Sequence, residues 1–344
     1  MRELCGLPVY PVSTDSALAQ RELDALDLGD GLPLVIPSEA RIDAMLAGVN
    51  AAQQVHGMLP PLFGELRVDA VAYQCVLAGC EPTELGVVFA AAEACLDPEF
   101  NLLGLLTTTG TAAVALVVHG AIATTLDVSS SSNCLGPGAR ANACIGRALS
   151  LVLRNIAGAK PGVADMATMG QPGKFTFCFA ERDDHDFPTL PERQDLARTA
   201  NAVTVLGVSG TAEVLPIAGG GSVENILAPV ALAMSASVLM GGAREREPTQ
   251  QVVLLPPELI GTLAKQGFGL ADIQSYLFDT ANVCGLLNAT AFQNVQPPGP
   301  IAASAADIHP IQTGGPGVKM TFLPLWAGGT RPTTRAVRNL RATA

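Results

Sequence analysis

The chain has 344 residues, 49% hydrophobic and only 15% charged, with a formal net charge of −11. That composition describes one large core or two medium ones and excludes a disordered chain. The acidic balance also excludes nucleic acid and anionic membranes as partners, because both demand a basic face that releases counterions.

The N-terminal stretch MRELCGLPVYPVSTD lacks the apolar core of a secretory signal, and residues 1–30 read as an extension. Leu34–Glu39 reads as a short strand leading into a helix, with helices over Ile42–Ala52 and Thr83–Cys95. Ala113–Val118 is a fully apolar run ending in His119-Gly120, the pattern of a buried strand. A Ser/Gly-rich turn, Ser129–Gly138, opens into a helix over Ala139–Asn155 that stops near Gly158. The turn Gly170–Lys174 precedes a strand expected over Lys174–Glu181. Ala202–Val208 is another buried strand, followed by a glycine run, a helix over Glu224–Met240 and a strand over Gln250–Glu258. A helix pair broken at Gly267 and Gly269 comes next, then a strand over Val318–Pro324, and from Thr330 a basic tail expected to pack loosely. The apolar stretches Gly110–Val128 and Asn225–Ala243 carry His119, threonines, serines and Pro229, and read as buried strand–helix elements rather than membrane spans.

The order strand, glycine turn, helix, strand occurs twice, from Ala113 and from Ala202. It implies an α/β fold, with parallel or mixed sheets flanked by helices and two pseudo-repeated halves around a cleft. The halves would be residues 31–195 and 196–344. Eight cysteines without a CxxC pair fit a reduced cytoplasm better than a disulfide scaffold or a zinc ribbon.

Arg140, Arg147 and Arg154 recur every seven residues along the helix after the turn, which places them near one face. With Asn133, Gly136, Gly138 and Asn142 they suggest a grip for a small anionic metabolite, since guanidinium and helix-start amides both suit carboxylates. The plainer reading is a row of ion pairs on a protein with 31 acidic residues. No P-loop spacing and no GxGxxG after a strand is present, so no nucleotide cofactor, and no other cofactor, is expected.

Six further side chains carry candidate chemistry. His119, where a buried strand meets a glycine, is placed as α/β proteins place proton-transfer groups, although a buried histidine bonded to its surroundings is the commoner situation. Glu181, at the end of an apolar run, is a candidate base, and Lys174 a candidate to neutralise an enolate. His185 sits in Glu181–Asp186, an acidic stretch whose oxygens and one imidazole suit a divalent cation or proton transfer, although such charge runs are more often solvated loops. Cys134, at the start of a helix among arginines, is a candidate nucleophile whose thiol pKa the helix dipole would lower. His309, close to the glycine turn Gly314–Gly317, is placed to close over a cleft.

The stretches NCLGPGARANACIGRAL and GQPGKFTFCFAE resemble a family of bacterial proteins of unassigned function. Members of that family occur with small thioredoxin-like proteins bearing a UGSC or CGSC motif. The resemblance covers roughly residues 30–335 and implies a site around Asn133, Gly136, Gly138, Arg140, Asn142, Arg147 and the Pro172–Lys174 turn. This chain carries neither motif, so any thiol-redox role would depend on a thioredoxin-like partner.

The leading expectation is a cofactor-independent lyase, hydratase or isomerase that moves a proton on a small carboxylate-bearing metabolite and works as a homo-oligomer. The alternatives are a Cys134-dependent hydrolase of C–N or acyl bonds, and a non-catalytic ligand-binding subunit of a thiol-redox complex.

Overall fold

Strict alternation along the buried strands gives each one two apolar faces, and that alternation builds the layers of the molecule. A computed structural model describes residues 2–184, 187–219, 221–240, 249–291 and 299–341. Strands β1 (Arg2–Leu4) and β2 (Leu7–Val9) form a hairpin, followed by helices α1 (Ser16–Ala25) and α2 (Glu39–Leu46). A second hairpin, β3 (Val55–Leu59) and β4 (Gly64–Arg67), leads to α3 (Val68–Ala78), α4 (Leu85–Ala94) and α5 (Leu102–Thr107). Then come β5 (Ala113–His119), α6 (Ala121–Thr125), α7 (Arg140–Asn155), β6 (Cys178–Ala180), β7 (Ala202–Val208) and β8 (Ala212–Val214). The remainder is α8 (Val223–Met240), β9 (Gln251–Leu255), α9 (Pro257–Lys265), α10 (Leu270–Ala291), β10 (Ile308–Gln312), β11 (Met320–Pro324) and β12 (Thr333–Ala336).

Beside the two hairpins, the described strands form two four-stranded mixed sheets, ordered β12-β7-β5-β6 and β10-β9-β11-β8. In the first, β5 runs parallel to β6 and antiparallel to β7, which is antiparallel to β12. In the second, β9 is parallel to β10 and antiparallel to β11, and β11 is antiparallel to β8.

The sheets pack face to face. Ala115, Val117, Phe179, Leu206 and Val208 of the first form one buried cluster with Val252, Leu254, Ile311 and Leu323 of the second. The opposite side of the first sheet, Val114, Leu116, Val118 and Val203, is covered by α3, α4 and α7 through residues such as Val76, Phe89 and Leu149. The opposite side of the second, Val253, Leu255 and Phe322, is covered by α8, α9 and α10 through Ile226, Leu259 and Leu277. The result is a helix–sheet–sheet–helix stack in which both sheets are buried on both faces, and this explains the uninterrupted apolar runs in their strands.

Helix α7 lies close on the first sheet because Gly146 has no side chain: a Cβ there would stand 2.5 Å from Thr176 Oγ1 and 2.8 Å from the Phe177 nitrogen. The same contact shortens the strand expected over Lys174–Glu181. Thr176 Oγ1 donates to the Ala143 carbonyl of α7 at 2.9 Å, so the segment follows the helix and joins β5 only at Cys178–Ala180. Residues Pro172–Lys174 form a single 3-10 turn.

Leu34–Ile36 is extended but pairs with no strand; the neighbouring Ser38 makes one bridge, to Tyr10. Ser38 then caps α2 through the Arg41 amide, so that helix starts and ends earlier than expected. The tail is not loose, because Thr333–Ala336 pairs with β7 along its full length. The two proposed repeats have different topology. β5 and β6 flank α7 within one sheet, whereas β7 and β9, on either side of α8, lie in different sheets. The strand β7, counted with residues 196–344, thereby joins the sheet of β5 and β6. Among the described residues no helix is long and apolar enough to cross a membrane.

Candidate active site

The polar residues of the first sheet line up at one end of the face that looks toward the second sheet. In β5, Ala115 and Val117 point inward, so His119 does too. In β7, Val203 and Val205 point outward, which turns Thr204 inward. The parallel register pairs Val118 with Ala180, and the Glu181 amide donates to the Val118 carbonyl at 3.1 Å, which carries Glu181 to the side of His119. Gly120 then turns the chain away at φ +80°, where a Cβ would stand 2.5 Å from the Ala200 carbonyl oxygen. Only glycine fits that turn.

His119 Nδ1 lies 2.8 Å from Glu181 Oε2, and the two side chains are 2% and 3% exposed. The contact is close but poorly aligned for a hydrogen bond from Nδ1. The other ring nitrogen, Nε2, is 2.7 Å from Thr204 Oγ1, which is itself 2.8 Å from Thr334 Oγ1. Thr334, Thr204, His119 and Glu181 thus form a polar chain that runs across β12, β7, β5 and the end of β6 in the order of the strands. With the imidazole proton on Nδ1, facing the carboxylate, Nε2 accepts from the Thr204 hydroxyl.

Glu181 is held on its far side as well. Its Oε2 accepts from the Leu190 amide at 2.9 Å, and Oε1 stands 4.0 Å from Arg193 Nη2. Arg193 donates to the Pro310 and Pro188 carbonyls at 2.7 and 2.8 Å, while its Nη1 is buried without a partner among the described residues. Burial pushes this guanidinium below its ordinary value, against the pull of Glu181 and Glu192. From the second sheet, His309 Nε2 lies 2.7 Å from Gln250 Oε1. Burial and the Arg193 charge push its imidazole down to about 4, so it is neutral at pH 7.

His119 and Glu181 form part of the wall of a cavity of about 200 Å³, with Thr124, Ser130 and Thr189 beside them. Arg182, Asp183, Asp184 and Arg198 also line it. Arg182 pairs with Asp184, and Arg198 lies 3.6 Å from Glu192 and donates to the Asp183 carbonyl at 3.1 Å. A cavity of roughly 150 Å³ accommodates benzene, so this one suits a small metabolite.

The other sequence candidates lie elsewhere. Arg140 forms an ion pair with Glu84 at 2.6 Å, Arg147 grips Asp30 through two nitrogens at 2.7 and 2.8 Å, and Arg154 meets Asp27 at 2.5 Å. None of the three lines the His119 cavity. Their outward face lies against acidic residues of the first 84, which satisfy them locally. Asn133, at φ +60°, donates to the Pro137 carbonyl, and a Cβ on Gly136 would collide with Asn133 Oδ1 at 2.2 Å. Gly138 supplies φ +141°. Asn142 is buried and bonds both backbone groups of Ser129 and the Cys134 carbonyl. These residues fold the turn onto its helix.

Cys134 Sγ is buried 3.6 Å from Thr313 Oγ1. Burial raises its thiol above the ordinary value, outweighing Thr313 and the nearby amides, so the lowered pKa expected from the helix start is absent. Lys174 is bound to both oxygens of Asp165, at 2.8 and 2.6 Å, near Ala113 at the opposite end of β5 from His119. At about 3.3 Å per residue that separation is about 20 Å along the strand. His185 and Asp186 lie outside the described residues. Among the described residues no three His, Cys, Asp or Glu side chains gather to hold a metal ion.

Sequence reasoning missed Thr204, Thr334 and Arg193. Thr204 had a signal, since it is the polar interruption of an apolar strand and falls on the same face as His119. Arg193 had none, because its loop carries no periodicity.

No family model matches the chain, and a comparison with curated proteins returns no match.

Proposed function

We propose that this chain is a cofactor-independent enzyme that moves a proton on a small carboxylate-bearing metabolite, as a lyase, hydratase or isomerase does. The observation that carries this reading is the buried 2.8 Å contact of His119 with Glu181 on the wall of a cavity of about 200 Å³. Burying an imidazole and a carboxylate together is costly unless they are paired and held, and such pairs concentrate at functional sites.

Each group has a role that its contacts support. Glu181 Oε2 is engaged by the Leu190 amide and His119, while Oε1 accepts no hydrogen bond among the described residues. Oε1 is therefore the base that takes a proton from the substrate carbon. His119 presents Nδ1 to the carboxylate and keeps it in place, and Thr204 with Thr334 fixes the imidazole tautomer. Arg182 and Arg198 stand on the cavity wall beside Asp183 and Asp184, and an incoming substrate carboxylate competes with Asp184 for the partly exposed Arg182.

A panel of short-chain hydroxy- and oxo-carboxylates in thermal melts tests the reading. A true ligand at 100 times its Kd adds about 2.7 kcal/mol to stability. The expected result is one or more carboxylates that stabilise the wild type and are turned over by it, with turnover abolished in Glu181→Gln. Turnover that survives Glu181→Gln, or a panel that neither stabilises nor reacts, overturns the reading.

A further inference from the structure

We propose a second binding site, at the end of the first sheet opposite His119, for an amphipathic carboxylate with an apolar or aromatic body and one anionic head. Residues 159–175 form a loop that leaves a groove of about 590 Å³ against α7. That volume lies within the range of metabolite pockets, and the walls have their chemistry: apolar surfaces with a few converging polar groups. Pro161, Met169 and Phe175 supply the apolar surface. Met169 is 88% exposed and Phe175 44%, so large apolar side chains stand in water at the groove with no covering among the described residues.

The charged lining is Arg154 and Lys174 with Asp30 and Asp165, and Asp30 is already gripped by Arg147 through two nitrogens at 2.7 and 2.8 Å. Arg154 and Lys174 both line the groove and the narrower recess behind it, which Leu105, Val114 and Leu153 close. Asp27 serves both Arg154, at 2.5 Å, and Lys160, at 2.9 Å, so one carboxylate is shared by two cations. The Arg154 Nε is buried and has no hydrogen-bond partner among the described residues. Lys174 is matched to Asp165, but both side chains are partly exposed, and ion pairs open to water are weak. An incoming carboxylate therefore competes with Asp165 for Lys174, while its apolar body lies on Met169 and Phe175.

The groove is already shaped. Gln171 Nε2 donates to the Thr111 and Val208 carbonyls at 2.7 and 2.8 Å, tying the loop to the start of β5 and the end of β7. Asp165 Oδ1 also accepts from the Ala167 amide at 3.1 Å. A preformed site loses less freedom on binding.

Decanoate below its micellar range, with decanol as the uncharged control, provides the probe, read by calorimetry or ligand-observed NMR on the full chain. Wild type is expected to bind decanoate at least tenfold more tightly than decanol. Lys174→Met is expected to weaken decanoate at least tenfold. Asp165→Asn, which keeps an acceptor for the Ala167 amide, is expected to tighten it several-fold. Ser150→Trp, which fills the groove, should abolish binding with the circular dichroism spectrum unchanged, and His119→Gln should leave binding as in wild type. Absence of decanoate binding, or a shift in the same direction for Lys174→Met and Asp165→Asn, overturns the proposal. The opposite signs separate a binding role from a purely structural ion pair, and the His119→Gln control separates this site from the proposed proton-transfer site.

Discussion

Replacing Glu181 by Gln removes a charge on which two buried groups depend. His119 loses the carboxylate 2.8 Å from Nδ1, and Arg193 loses a counter-charge 4.0 Å from Nη2. Deleting one member of a buried pair leaves the other charge uncompensated and costs about 3–5 kcal/mol. Glutamine still offers an oxygen to the Leu190 amide, so the lower end, about 3 kcal/mol, is expected. In a chain of this size that corresponds to a fall in Tm of about 4 °C. Urea unfolding followed by the fluorescence of the single tryptophan, Trp326, packed against the first core, measures it directly. Removing the stranded guanidinium as well, in Glu181→Gln/Arg193→Met, should recover part of the loss, with a coupling of at least about 1 kcal/mol. A loss below about 1 kcal/mol for Glu181→Gln, or strictly additive effects, refutes the idea that Glu181 ties His119 and Arg193 into one buried network.

Three further outcomes follow from other parts of the structure. His309 sits at about 4 when folded and near 6.5 when unfolded, so between those values the unfolded chain binds the extra proton. Stability should fall as pH drops from 6.5 toward 4, by up to about 3 kcal/mol, and the urea midpoint of His309→Gln should fall less over the same window. Arg140→Ala strands the Glu84 carboxylate, 1% exposed, and should destabilise by about 2–3 kcal/mol while leaving carboxylate binding in the His119 cavity intact; lost binding with unchanged stability would return Arg140 to the site. Gly146→Ala drives a methyl to 2.5 Å from Thr176 Oγ1 and 2.8 Å from the Phe177 nitrogen, and should cost about 1–3 kcal/mol in the same denaturation assay.

The chain was legible as a sequence where short apolar runs or a one-sided stripe mark an element. Ala113–His119, Ala202–Val208 and Arg140–Asn155 follow from apolar runs and a helical stripe ended by glycine. Val68–Ala78 was missed because it is apolar nearly all round and shows no stripe. The Lys174–Glu181 segment was misread because Thr176 bonds helix α7 first, so the chain reaches β5 only at Cys178–Ala180. His119 and Glu181 were found separately, from their positions at strand ends. Their meeting depends on the parallel register of β5 and β6, a long-range pairing that no local pattern encodes. The arginine helix misdirected attention for a related reason: periodicity places three guanidiniums on one face, but only the tertiary fold shows Glu84, Asp30 and Asp27 waiting there.

The central claim, that His119 and Glu181 act as one proton-transfer unit, is tested most directly by incubating the carboxylate panel with the protein in D2O and following C–H signals by proton NMR. Loss of a C–H signal with wild type, and its persistence with both Glu181→Gln and His119→Gln, is the expected result. Exchange that continues in either folded variant, or a panel whose C–H signals all persist with wild type, contradicts it.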